Sequence, residues 1–190
     1  MNLSSLARIT SGYAFNAADF SEDGVHVIRM SDLSGEYVEI DGSAKVPASA
    51  VAGLERFELF EGDILLGMSG SLGKLGIVPR IPAGSRIFLN QRVAKISLMP
   101  GSAISRELLI EAIKSRKYLA HLEGYAAGVA VRILSAAQML DFLVLVPSLK
   151  EGQSFIDKCR RIGTQLSNSE DCMAQSAALQ ASLSKTLLEI

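Results

Sequence analysis

The segment Gly62-Asp63-Ile64-Leu65-Leu66-Gly67-Met68-Ser69-Gly70-Ser71-Leu72-Gly73-Lys74 places glycines, serines and one lysine directly after an apolar run. Backbone amides beside a cation are what cradles a phosphate, so this stretch is the first candidate for chemistry. A nucleotide-hydrolase loop is excluded on two grounds. Five residues instead of four separate Gly67 from Gly73, and Lys74 is followed by Leu75 where a magnesium-binding hydroxyl is required. The following residues read as a strand, so no helix dipole stands behind the loop. What survives is a Gly/Ser hairpin loop that either caps a sheet or grips a nucleic-acid phosphate. Asn90-Gln91-Arg92, between two strand-like runs, has side chains able to pair with adenine and guanine edges; its plainer reading is a solvent-facing turn. Arg132 is a lone charge in an apolar run, either an edge-strand gatekeeper or a ligand.

Groups for catalysis are scarce. His26 and His121 are the only histidines, and there is no HExxH, CxxC or GxSxG spacing to support zinc or triad chemistry. No Pro-Pro dipeptide is present, which removes the signature that DNA amino-methyltransferases place around a flipped base, and no Glu-x-Lys follows an Asp at nuclease spacing. The expectation is a protein that recognises, with no catalytic residue, metal or cofactor of its own.

These residues must be positioned by the elements around them. The chain of 190 residues carries a formal charge of −1 and is 48% hydrophobic, enough for one core and against disorder. The small net charge hides a swing. Residues 1–63 hold 11 acidic and 4 basic side chains, and residues 64–150 hold 11 basic and 4 acidic. A polyanion-binding face beside an acidic flank produces such a swing, as does chance clustering on a solvated surface. No apolar run approaches the roughly 18 residues of a membrane span, and the first residues lack a signal-peptide pattern. With Cys159 and Cys172 too far apart on one helix to bridge, a reduced, cytoplasmic protein is expected.

Short strands and turns are predicted to about residue 102: Val25–Met30, Tyr37–Ile40, Asp63–Gly67, Gly76–Pro79 and Arg92–Leu98. From Ser105 the apolar spacing of Leu108, Leu109, Ala112, Ile113, Leu119 and Ala120 predicts one helix, with Lys114, Arg116 and Lys117 near its end, where they suit the macrodipole. A short strand (Val129–Leu134), a helical turn begun by Ser135 and a buried run Phe142–Val146 follow. Beyond Pro147 the pattern changes. Phe155, Cys159, Ile162, Leu166, Ser169, Met173, Ser176, Gln180, Leu183, Leu187 and Ile190 recur at steps of four and three, a heptad seam. A helix of that extent is roughly 60 Å long at about 1.5 Å per residue, so part of the seam is expected to meet another chain, an ordinary core helix being the alternative. Polar Ser169, Ser176 and Gln180 weaken the seam and favour conditional pairing. The fold class expected is α/β (α+β), a small mixed sheet domain over residues 1–148 followed by a coiled-coil-type helix over 149–190.

Taken together, these blocks resemble the specificity subunits of type I restriction-modification systems, as one target recognition domain followed by one helical region. Leu6–Phe15 (LARITSGYAF) is similar to the family's opening, with its Ser-Gly-aromatic turn, and Val27–Leu33 (VIRMSDL) to its first core strand and polar turn. Gly62–Lys74 resembles the Gly-Asp-Ile-Leu and Ser-Gly-x-x-Gly-Lys block, and Leu89–Val93 (LNQRV) the Leu-Asn-Gln block. Val144–Phe155 (VLVPSLKEGQSF) is similar to the stretch leading into the long helix, with Gly152 intruding between Glu151 and Gln153. The order and spacing of the blocks carry the resemblance.

The resemblance implies a non-catalytic domain that reads one half of a split target in double-stranded DNA, and a helix that spaces it and docks a DNA methyltransferase (modification) subunit, with a restriction subunit as a further partner. On that basis Lys74, Arg86, Arg92, Lys95 and Arg132 are candidates for phosphate or base contacts. Ser69, Gly70, Ser71 and Gly73 would offer backbone amides, and Asn90 and Gln91 amide readout or support of the strand ends. The usual subunit holds two such units and this chain holds one, so pairing into a homodimer through Phe155, Cys159, Ile162, Leu166, Met173, Leu183 and Leu187 is expected, giving a bipartite target with inverted identical halves. The rival reading is an interaction module without DNA affinity that occupies modification subunits through its helix.

Overall fold

The computed structural model describes residues 1–165 apart from 71, 127–132, 149, 156, 159, 160 and 163. The chain divides into two compact units, Met1–Val146 and Pro147–Ile190. Among its described residues the first holds seven strands, β1 (Ala7–Ser11), β2 (Val25–Ile28), β3 (Ala44–Val46), β4 (Ile64–Gly67), β5 (Leu75–Ile77), β6 (Ile87–Leu89) and β7 (Val93–Leu98), and three α-helices, α1 (Arg106–Lys114), α2 (Arg116–Ala126) and α3 (Ala136–Leu140). One sheet runs in the order β1-β7-β4-β5, antiparallel throughout. The other runs β3-β2-β6, with β2 parallel to β6 and antiparallel to β3. This is the mixed α+β class expected.

The sequence of β4 explains the layering. All four of its residues are buried, because Ile64 and Leu66 face one apolar cluster while Leu65 faces another. The first cluster sets Ala94 and Ile96 of β7 against Leu109, Ile113, Tyr118, Leu122 and Met139 of the helices. The second gathers Val93, Val27, Ile28 and all of β6, that is, the smaller sheet. A strand covered on both faces must be continuously apolar, whereas a strand with one wet face alternates. The larger sheet is therefore the middle layer, with helices on one side and the second sheet on the other.

The helical part departs from expectation. The single helix predicted from Ser105 is broken at Ser115, whose backbone is extended (φ −67, ψ 146). Ser115 serves both neighbours: its N–H donates to the Ala112 carbonyl, closing α1, and its hydroxyl accepts from the Tyr118 N–H at 3.2 Å, opening α2. A serine competes well for such a position because its side chain replaces the missing helical acceptor. The bend drops Tyr118 into the core, fully buried, with its hydroxyl donating to the Met139 carbonyl at 3.0 Å and its ring edge-on to Phe142. Burial raises the phenol well above its usual pKa. The turn begun by Ser135 is α3, opened by a Ser135–Gln138 capping box.

Phe142–Val146 is not uniformly buried: Val144 is inside while Leu143 and Leu145 are exposed. The segment pairs along one edge only, the Leu3 N–H donating to Phe142 and the Val144 N–H to Met1, so its side chains alternate. Tyr37–Ile40 forms a single bridge from Tyr37 to Ile77 and no strand. The strand expected through Met30 stops at Ile28, where Asp32 accepts from the Arg29 N–H at 2.7 Å and curls the chain into a short 3-10 turn. Of Val129–Leu134, only Ile133 and Leu134 are described; the Leu134 N–H donates to Met68.

In the second unit, Ser148 and Glu151 form a reciprocal cap, the Ser148 N–H and hydroxyl donating to the Glu151 carboxylate at 3.0 and 2.6 Å. The Glu151 N–H returns a bond to the Ser148 hydroxyl at 3.4 Å, and residues 150–155 are helical. Glycine at 152 is accommodated within that helix, its N–H bonded to the Ser148 carbonyl. Among the described residues no helix is long and apolar enough to cross a membrane.

The two sheets are joined at the turn Asn90–Arg92, which carries the chain from β6 to β7. Gly12, just past β1, lies so close to this turn that a Cβ would fall inside van der Waals contact of the Asn90 and Leu89 carbonyl oxygens. Backbone atoms on both sides leave no flexible group to give way. Gly12→Ala should therefore lower stability by on the order of 3 kcal/mol, read by urea denaturation monitored by circular dichroism.

Candidate nucleic-acid interface

Strand directions decide which candidates meet. β4 runs toward Gly67, which pairs with Val93 at the start of β7, and the Gly67 N–H donates to the Lys74 carbonyl ahead of β5. β1 ends at Ser11 opposite Ala94, and β2 ends at Ile28 opposite Leu89. One end of the double sheet therefore collects the Gly12-Tyr13 turn, the Arg29–Asp32 turn, the loop from Ser69 to Lys74 and the turn Asn90-Gln91-Arg92. Four widely separated sequence blocks thus converge on one edge.

Within that edge the main chain of the crossover turn is held on several sides. The Gln91 N–H donates to the Tyr13 carbonyl at 2.8 Å, the Asn90 N–H to Ile28 at 3.1 Å and the Met68 N–H to the Arg92 carbonyl at 2.9 Å. The Asn90 carbonyl accepts from the Val93 N–H at 2.9 Å. The side chains are left free by comparison. Gln91 and Arg92 are exposed and Asn90 is half-buried, and none of the three has a side-chain hydrogen bond or ion pair among the described residues.

The glycine-rich loop divides. Ser69 is buried and bridged to Ile133, so it belongs to the scaffold. Gly70 is exposed. Gly73 has φ +78 and lies against Leu119 of α2, two reasons why a larger residue is disfavoured there. Lys74 is half-buried, with its Nζ 3.4 Å from the Met30 carbonyl. Ser71 and Arg132 lie outside the described residues, as do Cys159, Leu166, Met173, Leu183 and Leu187 of the helical seam. Phe155 and Ile162 are described, and they are 45% and 56% exposed.

Arg86 and Lys95 are not at this end. Arg86 grips the Glu58 carboxylate with two bonds, Nε to Oε1 at 2.8 Å and Nη2 to Oε2 at 2.6 Å, and lies over the Phe88 ring. Lys95 reaches Asp63 at 3.1 Å and the Glu58 carbonyl at 3.3 Å, with only 16% of its side chain exposed. Both cations are neutralised, and they fasten the Glu58–Asp63 segment to the sheets. Lys114 likewise stands 4.0 Å from Glu36. In these three ion pairs an acid of the first third meets a base of the middle. The charge swing along the sequence is thus partly internal complementarity, not solely a binding face.

Two residues at the shared edge carry no clear mark in the motifs above. Tyr13 is 36% exposed with its ring against Phe15 and Phe57, and exposed Arg29 follows the end of β2 beside the crossover. The Ser-Gly-aromatic block is the available signal for Tyr13. Arg29 lies inside the Val27–Leu33 block, which marks a strand and turn but singles out no side chain. Among the described residues no group of three His, Cys, Asp or Glu is placed to hold a metal ion.

Comparison with known proteins follows the same blocks. No family model matches the sequence. The type I restriction enzyme EcoBI specificity subunit of Escherichia coli is 25% identical over 177 residues, 92% of this chain and 34% of that protein. The chain resembles the specificity subunits of type I restriction enzymes. The fold agrees. A chain from the structure describing complex assembly and conformational transition of the type I R-M system superposes with a TM-score of 0.62 at 14% identity, over 94% of this chain and 41% of that one. The HsdS subunit from Thermoanaerobacter tengcongensis gives 0.60 at 13% identity, over 88% and 37%. The S subunit from M. genitalium gives 0.57 at 14%, over 88% and 39%. The chain thus spans about a third of the length of its curated relative.

The Arg86–Glu58 pair makes a checkable claim. The two bonds from Arg86 hold the Glu58 carboxyl below the usual carboxylate range against a smaller opposing effect of burial. A folded-state pKa below the unfolded one contributes stability above the unfolded value, and that contribution is lost as pH falls through the folded value. Arg86→Met should raise the Glu58 titration midpoint, followed by carboxyl NMR. The stability gap between wild type and variant should be full at neutral pH and close as acid protonates Glu58.

Proposed function

We propose that this chain is a DNA-recognition component of a type I restriction-modification system, contacting double-stranded DNA with the edge that gathers Tyr13, Arg29, Gly70, Gly73, Lys74, Asn90, Gln91 and Arg92. The observation that carries this reading is the similarity to a specificity subunit over 92% of the chain, supported by the fold match. The edge suits the task chemically. Lys74 is a point charge for a phosphate, and Arg92, Gln91 and Asn90 are groups for base edges. Arg86 and Lys95 are assigned to the scaffold because both have a carboxylate at hydrogen-bond distance, whereas the guanidinium of exposed Arg29 stands 3.8 Å from Asp32. In this reading the chain directs a DNA methyltransferase subunit, and a restriction subunit where one is present, and performs no chemistry itself.

Fluorescence anisotropy with specific and random duplexes over a salt series tests it. Lys74→Ala should weaken binding to every sequence and flatten the log K against log[salt] slope by about 0.9, as expected when one phosphate is no longer neutralised. Arg92→Ala should instead cost about 1–3 kcal/mol on the preferred site only, relaxing the choice of one base pair. Equal losses on all duplexes from both variants would assign Arg92 to phosphate. Absence of salt-dependent binding by the wild-type chain, alone and with a modification subunit, would overturn the reading.

We further propose that the helix following Ser148 pairs two copies along its heptad seam, a reading supported by the spacing and by the exposure of Phe155 and Ile162. Two-fold pairing predicts a methylated motif with inverted identical halves around an unread spacer. Sedimentation equilibrium of the chain and sequencing of methylated sites check it, and a monomer with an asymmetric motif would contradict it.

A further inference from the structure

Lys114, Arg116 and Lys117 have a simple explanation in the sequence, as cations at the negative end of one helix. The break at Ser115 removes that explanation for two of them. Lys114 does end α1, where a cation is favourable, but Arg116 and Lys117 occupy the first two positions of α2. Cations there face the positive end of the helix dipole, and the first turn of α2 contains no acidic residue to compensate. Both side chains are exposed, and neither has an ion pair or hydrogen bond among the described residues. Two unpaired charges held where local electrostatics opposes them call for a partner outside the described fold.

Their position says which partner. Leu119 lies one helical turn after Arg116 and touches Gly73, the residue before Lys74. The opening of α2 therefore adjoins the glycine-rich loop that ends in Lys74. Lys114, the last residue of α1, is only loosely engaged by Glu36 at 4.0 Å. Resting on the DNA-binding reading above, we infer that Arg116 and Lys117 extend the interface across α2 and grip the phosphate backbone alongside Lys74. They carry affinity and register and leave base choice to the crossover turn. A duplex is favoured over a small anion because the cations lie on two different elements, the loop and the helix, as a strand of successive phosphates requires.

The test uses the full chain with Arg116→Gln/Lys117→Gln, read against wild type and Lys74→Ala on one specific and one random 30-base-pair duplex. The slope of log K against log[salt] should fall by about two units, roughly 0.9 for each cation removed from a phosphate, equally on both duplexes. Thermal unfolding supplies a second readout. Because the substitutions remove repulsion at the start of α2, the variant's Tm should stay level or rise. An unchanged salt slope in the variant while wild type and Lys74→Ala behave as expected would overturn this inference alone. A lowered Tm with loss of binding would also overturn it, as it would assign both residues to the fold. Failure of the wild-type chain to bind either duplex would remove the DNA reading and this one with it.

Discussion

The crossover turn Asn90–Arg92 is the constraint on which the rest of the molecule depends. The chain passes between the two sheets four times, and the shortest of these crossings, the three residues between β6 and β7, takes hydrogen bonds from the chain at or just past the ends of β1, β2 and β4. An unpaired buried amide or carbonyl costs as much as a lost hydrogen bond, so the main chain here has few alternatives. Gly12 is the visible sign of the compression. No side chain fits between the end of β1 and the crossover, because the neighbours on the far side are carbonyl groups and not flexible side chains. Once this junction is set, the directions of β1, β2, β4 and β7 bring their loops to one edge without further instruction.

Charge is distributed under a related constraint. A cation that already has a carboxylate at hydrogen-bond distance cannot neutralise a phosphate without first breaking that pair. The bidentate Arg86–Glu58 contact and the largely buried Lys95–Asp63 contact are therefore elements of cohesion between the Glu58–Asp63 segment and the sheets. Arg92, Arg116 and Lys117 are different in kind, being exposed and unpaired among the described residues. Counting charges along the sequence mixes these two populations, and only the pairing separates them.

Much of the first unit was legible in the sequence, because each correct expectation rested on local chemistry. The continuous apolar run of β4, the strand-like run of β7, and the serine caps at Ser105 and Ser135 all follow from residues within one or two turns of each other. The failures have a common cause in longer-range packing. Ser115 interrupts an unbroken apolar periodicity because burying Tyr118 against Met139 and Phe142 favours a bend that no periodicity encodes. Leu143 and Leu145 read as core because Phe142–Val146 is uniformly apolar, and only its one-sided pairing turns alternate side chains outward. The ion pairs of Lys95 and Arg86 escape a local reading because their acidic partners lie 32 and 28 residues away in sequence.

The candidate site was legible as a set of blocks but not as a division of labour, and the division follows from what each block bonds with. An edge whose side chains are left free must fix its frame through groups that every residue possesses. At the crossover those are the backbone N–H and C=O groups of residues 90–93, paired with the backbones of Tyr13, Ile28 and Met68. Gln91 and Arg92 contribute their main chains to that frame while their side chains stay outside it. Substitution of either side chain therefore leaves untouched the bonds that hold the edge. Gly12 has no such freedom, since its side-chain position is already occupied by the frame itself.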